Sequence, residues 1–117
     1  MERERLEENL IRIIDAYGID DSATNITVIK KGIKAISIDS VSLSDIRAAL
    51  LSTGNVLEEN LDLGYYLAIV NKDMNRTAIA ANVEDNTLEI LAYAKEGLFN
   101  KRIAEKAIKA ILDALRI

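Results

Sequence analysis

Tyr65-Tyr66-Leu67-Ala68-Ile69-Val70 is an unbroken apolar run that ends at Asn71-Lys72. Its length and its aromatic and β-branched content suit a strand. Successive side chains of a strand point to opposite faces, so both faces of this one are apolar. A strand of that kind is covered on both sides or used in an interface. The chain is therefore expected to build a sheet with layers packed on it.

Two further strands follow the run. Asp73-Met74-Asn75 turns the chain into Thr77–Val83, where Ile79 and Val83 are the large side chains among alanines. Glu84-Asp85-Asn86 turns it again into Leu88–Ala94, with Leu88, Ile90 and Ala92 on one face and Glu89, Leu91 and Tyr93 on the other. Upstream, Ile26-Thr27-Val28-Ile29 and Ile33–Ile38 are β-branched runs joined by Lys30-Lys31-Gly32, which reads as a hairpin.

Helical spacing marks three other segments. Leu6, Leu10, Ile13, Ile14 and Tyr17 form one apolar stripe over residues 2–17, and Gly18 suits the position just past the helix end. Ser42 and Asp45 form a capping box that starts a second helix, with Ile46, Leu50 and Leu57 on its apolar side. Gly54 breaks or kinks that helix, which otherwise continues to Leu61. The last helix runs from about Phe99 to Leu115, with Ile103, Ala107, Ile111 and Leu115 four apart.

The expected order is α-β-β-α-β-β-β-α in a single domain, 1–117, with no linker or repeat. Five strands in hairpins and a meander imply a mostly antiparallel sheet sandwiched by helices, an α+β fold. At 50% hydrophobic residues and a net charge of −4, the chain is far from the composition of a disordered one. An apolar, Pro-free strand at a sheet edge pairs with other chains unless it is covered. A homodimer through the edge at Tyr65–Lys72 is the physical expectation.

This order is similar to that of the roadblock family of dynein light chains, within the profilin-like group. The likeness spans the opening helix, the Lys31-Gly32 hairpin, the three-strand meander, and the passage from Leu88–Tyr93 into Leu98–Leu115. It is one of topology and length, without a diagnostic motif. The resemblance implies a five-stranded sheet with the first and last helices on one face and the second helix on the other. It also implies dimerisation through the third strand and second helix, and binding of small GTPases or larger complexes. By position, that interface would hold Ile46, Leu50, Tyr65, Leu67 and Ile69. The break at Gly54 departs from the family's long second helix.

The residue types that are missing narrow the chemistry. The chain has no Cys and no His, so disulfides, thiolate nucleophiles, zinc fingers and imidazole catalysis are excluded. Five scattered glycines make no phosphate-binding loop. Ser40, Ser42 and Ser44 have no base to activate them. Glu58-Glu59 with Asp62, and Asp20-Asp21, are the densest carboxylate clusters; they read as a solvated helix end and a loop, without calcium-loop spacing. The expectation is no enzyme activity, no metal and no cofactor.

Basic residues suggest an alternative. Lys101, Arg102, Lys106 and Lys109 line the last helix, Lys30, Lys31 and Lys34 the hairpin, and Phe99 offers a ring for stacking. Such a helix tracks the phosphates of a nucleic acid or a small anion. Interleaved Glu96, Glu105 and Asp113 and a pI near 4.9 weigh against it. Met1-Glu2-Arg3-Glu4-Arg5 does not resemble a signal peptide and no run is long enough to span a membrane, so a cytoplasmic protein without a membrane partner is expected. Abundant Ile and absent Gln lean toward a thermophilic or archaeal source, against which stand nine Asn. The leading expectation is a small cytoplasmic protein-interaction module that dimerises and presents surfaces to a protein partner.

Overall fold

The computed structural model describes residues 1–21, 25–72, 74–97 and 101–117. Its elements are α1 (Arg3–Ala16), α2 (Ile26–Gly32), β1 (Lys34–Asp39), α3 (Leu43–Thr53), β2 (Gly54–Asn60), β3 (Tyr65–Lys72), β4 (Asn75–Glu84), β5 (Thr87–Tyr93) and α4 (Ile103–Leu115). The α+β class and the five-stranded antiparallel sheet stand as expected. The strands lie in the order β1-β5-β4-β3-β2, and every neighbouring pair is antiparallel.

Alternation along β3 divides the core into two. Leu67 and Ile69, with Ala78, Ala80, Leu91 and Tyr93, face Leu6, Leu10, Ile13 and Ile14 of α1 and Ile29 of α2. Tyr66, Ala68 and Val70, with Ile79, Ile90 and Ala92, face Ile46 and Leu50 of α3 and Ala104, Ala107 and Ile111 of α4. Both apolar faces of the run are thus used inside the chain. Each fully buried Leu or Ile contributes about 1.5–3 kcal/mol of transfer free energy. This layering differs from the one the resemblance implies, because α4 shares its face with α3 and not with α1.

Local signals explain the helix ends. The Schellman closure of α1 joins the Ile19 N–H to the Ile14 carbonyl at 3.0 Å and the Gly18 N–H to the Asp15 carbonyl at 3.2 Å. Ser42 Oγ accepts from the Asp45 N–H at 3.1 Å while Asp45 accepts from the Ser42 N–H, so the capping box of α3 is complete.

Two segments take a different form from their sequence reading. Residues 26–32 are a seven-residue helix, not a strand and turn. Asn25 caps it by accepting from the Thr27 N–H at 2.8 Å, and Ile29 anchors it in the α1-side core. Residues 54–60 are a strand, not the tail of a helix. α3 passes into β2 at Gly54 without a loop, and a Cβ there would run into the Ile69 carbonyl oxygen. The strand lost at 26–29 is replaced by the one gained at 54–60, so the count of five survives.

Candidate functional site

The gain of β2 decides which edges of the sheet are open. β3 pairs with β2 on one side and β4 on the other, so it is an interior strand. Leu67 is fully buried and Ile69 nearly so, beneath α1, and Ile46 and Leu50 are fully buried between α3 and the sheet. Tyr65 is half-buried on the α1 side. The interface assigned to Ile46, Leu50, Tyr65, Leu67 and Ile69 is therefore corrected: the chain's own helices and its β2 strand occupy those surfaces. The sequence signal was sound but ambiguous, since covered on both faces and used in an interface produce the same apolar run.

The edges are β1 and β2, and they are built differently. β2 carries a register irregularity between Val56 and Glu58, which disrupts a regular ladder. Glu58 and Glu59 follow it on opposite faces of the strand. Glu58 accepts two hydrogen bonds from the Arg12 guanidinium of α1, at 2.6 and 3.0 Å. Glu59 accepts one from Arg47 Nε of α3, at 2.8 Å. The Arg12 hydrogen bonds hold the Glu58 carboxyl below its ordinary range. The pair expected on a solvated helix end is thus a double clamp that fastens the edge strand to both helical layers. A bulge and charged side chains are two of the devices by which sheets block pairing at an edge.

β1 has no bulge, and its two charged side chains, Lys34 and Asp39, sit only at its ends. Its register with β5 runs without interruption from Lys34 opposite Ala92 to Asp39 opposite Thr87. The chain contains no Pro to interrupt it. Lys34, Ala35, Ser37 and Asp39 are exposed, and Ile36 and Ile38 are only half-buried, at the margin of the α3–α4 core. Half-buried Leu112 and Leu115 of α4 lie on the margin of that same core.

Charge is distributed unevenly along this edge. Exposed Lys30 and Lys31 close α2 just before β1 begins at Lys34. At the other end Asp39 accepts from Thr87 Oγ1 at 3.0 Å. The Val41 N–H donates to the Asn86 carbonyl at 3.0 Å, which brings the turn holding exposed Asp85 alongside. β1 therefore runs from a basic end to an acidic end. Reading residues 26–38 as a hairpin hid this edge, because the supposed first strand would have covered it.

The other candidate residues are less concentrated. Lys106 and Lys109 lie on the exposed side of α4 among Glu105 and Asp113, and Lys109 pairs with Asp113 at 3.1 Å. Lys101 and Arg102 precede the helix and are exposed, and the Arg102 N–H donates to Glu96 at 2.6 Å. Phe99 lies outside the described residues. Of the other carboxylate pair, Asp20 accepts from the Tyr93 hydroxyl at 2.6 Å. Burial and that hydrogen bond push the tyrosine's ionisation up. Among the described residues no three acidic side chains gather as a metal site, and no helix is long and apolar enough to cross a membrane.

Two clefts of about 370 and 350 Å³ open on the surface. The first lies between α1 and α2, floored by Ile11, Ile14 and Ile29 and rimmed by Glu8 and Asp15. The second holds Arg76, Lys95 and Glu96. Neither gathers a nucleophile with a base to activate it. No family model matches the chain, and no curated protein matches it.

Proposed function

We propose that this chain is a small cytoplasmic protein-interaction module that takes a partner's strand along β1. The observation that carries the reading is the contrast between its two sheet edges. β2 is bulged and clamped by Arg12 and Arg47, whereas β1 has an unbroken register and exposed residues on both faces. An edge strand presents a row of backbone N–H and C=O groups, and a strand added to it satisfies them while alternate side chains supply specificity. The half-buried Ile36 and Ile38 give an incoming strand apolar surface to cover.

The test places a photo-crosslinking side chain at Ser37 on β1, or at Asn55 on β2, in the cells that make the protein. A discrete adduct from position 37 and none from position 55 is the expected result. Absence of any adduct from position 37 would overturn the reading.

A further inference from the structure

We infer that the strand received by β1 is β1 of a second copy, paired antiparallel about a two-fold axis that passes beside Ser37. The inference rests on the strand-addition reading and names its partner.

Three observations converge on it. The first is side-chain complementarity. Two strands joined into one sheet about such an axis place residues of the same face opposite each other. With Ser37 opposite its own copy, Ile36 meets Ile38 on the face of α3 and α4, and Ile38 meets Ile36. On the face of α1, Ala35 meets Asp39; on the face of α3 and α4, Lys34 meets Ser40 just beyond the strand. Apolar side chains then cover apolar ones, and neither charge faces an isoleucine. A pairing centred on Ile36 instead sets Lys34 against Ile38 and Asp39 against Ile33, so it is the poorer register.

The second observation is charge. β1 begins beside Lys30, Lys31 and Lys34 and ends beside Asp39 and Asp85, all exposed. An antiparallel pair lays each basic end alongside the acidic end of the other copy. A parallel pair would bring like ends together. Opposite charges across strands stabilise a sheet and like charges destabilise it.

The third is closure. A two-fold contact uses the same patch on both copies and is complete with two. The joined sheet would then end in β2 on both sides, the edge that the bulge at Val56/Glu58 and the Arg12 and Arg47 clamps protect. One open edge and one blocked edge suit a dimer that does not grow into a fibre. Half-buried Leu112 and Leu115 lie on the same face of the sheet as Ile36 and Ile38.

The chain has no cysteine, so single cysteines report the register directly. Directly opposite residues on antiparallel strands have Cα atoms about 4.5–5.5 Å apart, within reach of a disulfide. Ser37→Cys under mild oxidation is expected to form a covalent dimer about tenfold faster than Asn55→Cys, because pairing holds the two thiols together. Ala35→Cys mixed with Asp39→Cys is expected to cross-link, and either alone is not. High salt is expected to slow all of these, since screening weakens the contact between the charged ends. Equal rates for Ser37→Cys and Asn55→Cys, or rapid cross-linking of Ala35→Cys alone, would overturn the inference. The photo-crosslinking experiment separates the two levels. An adduct at position 37 that contains a different protein removes the second copy and leaves the strand-addition function standing. No adduct there removes both.

Discussion

Arg12 of α1 holds Glu58 of β2 through two parallel hydrogen bonds, of 2.6 and 3.0 Å, across a sequence separation of 46 residues. The pair joins the first helix to the last-placed strand of the sheet. Its geometry is bidentate, the arrangement that gives a surface ion pair the most stability. Both side chains are about half exposed, so solvent discounts the Coulomb term. A double-mutant cycle of Arg12→Ala and Glu58→Ala should return a coupling of about 0.5–1 kcal/mol.

The same pair predicts a pH response. Folding lowers the Glu58 carboxyl below its unfolded value, chiefly through the Arg12 hydrogen bonds. Its contribution is therefore complete above about pH 4.3, the unfolded value, and is lost as pH falls through the folded one. The stability difference between wild type and Glu58→Gln should be constant near neutrality and shrink in acid, as measured by urea unfolding. A difference that grows in acid would reverse the assigned sign.

Tyr93 and Asp20 give the opposite dependence. Burial, then the hydrogen bond to Asp20, keeps the Tyr93 hydroxyl protonated to higher pH than a free tyrosine. A folded value raised above the unfolded one, near 10, makes stability fall as pH rises past it. Tyr93→Phe should cost about 1–2 kcal/mol at neutral pH, because the hydrogen bond from the Tyr93 hydroxyl to Asp20 is lost. The variant should also lose part of the alkaline decline. Thermal unfolding between neutral pH and pH 11 checks both effects.

Thr77 on β4 is fully buried, and its hydroxyl has no hydrogen-bond partner among the described residues. A buried polar atom without a partner costs about 1–3 kcal/mol in lost solvation. Valine has nearly the same shape and suits a strand. Thr77→Val should therefore raise stability by about 1 kcal/mol, a rise of a few degrees in Tm. Destabilisation would indicate that the hydroxyl is satisfied in solution.

Most of the fold was legible because most elements carry agreeing signals. The capping box at Ser42 and Asp45, the stripe from Leu6 to Ile14 and the three-strand meander each combine period with turn or cap chemistry. The two exchanged segments lack that agreement. Ile26-Thr27-Val28-Ile29 has the composition of a strand, but the Asn25 cap and the anchor at Ile29 make it a helix. Seven residues are too few for a helical stripe to outweigh β-branched composition. Gly54-Asn55-Val56-Leu57-Glu58-Glu59 continues a helical spacing on paper, yet the long-range ladder with β3 takes it. Local reading cannot see a partner strand, and the irregularity at Leu57 hides the strand alternation as well.

The surface followed from those two segments. Placing a strand at 26–29 and none at 54–60 leaves β3 as the edge, and so sends the expected partner to Tyr65, Leu67 and Ile69, whereas the proposed partner strand lies along β1. An open strand edge of a Pro-free sheet is prone to pair with another strand, and in this fold that edge is β1.

The pairing of two copies along β1 is read out by solution mass from light scattering, over a wide range of concentration at low ionic strength. A dimer paired along β1 gives a mass near twice 12.9 kDa that falls toward 12.9 kDa on dilution or on adding salt. A mass of 12.9 kDa at every concentration would contradict it.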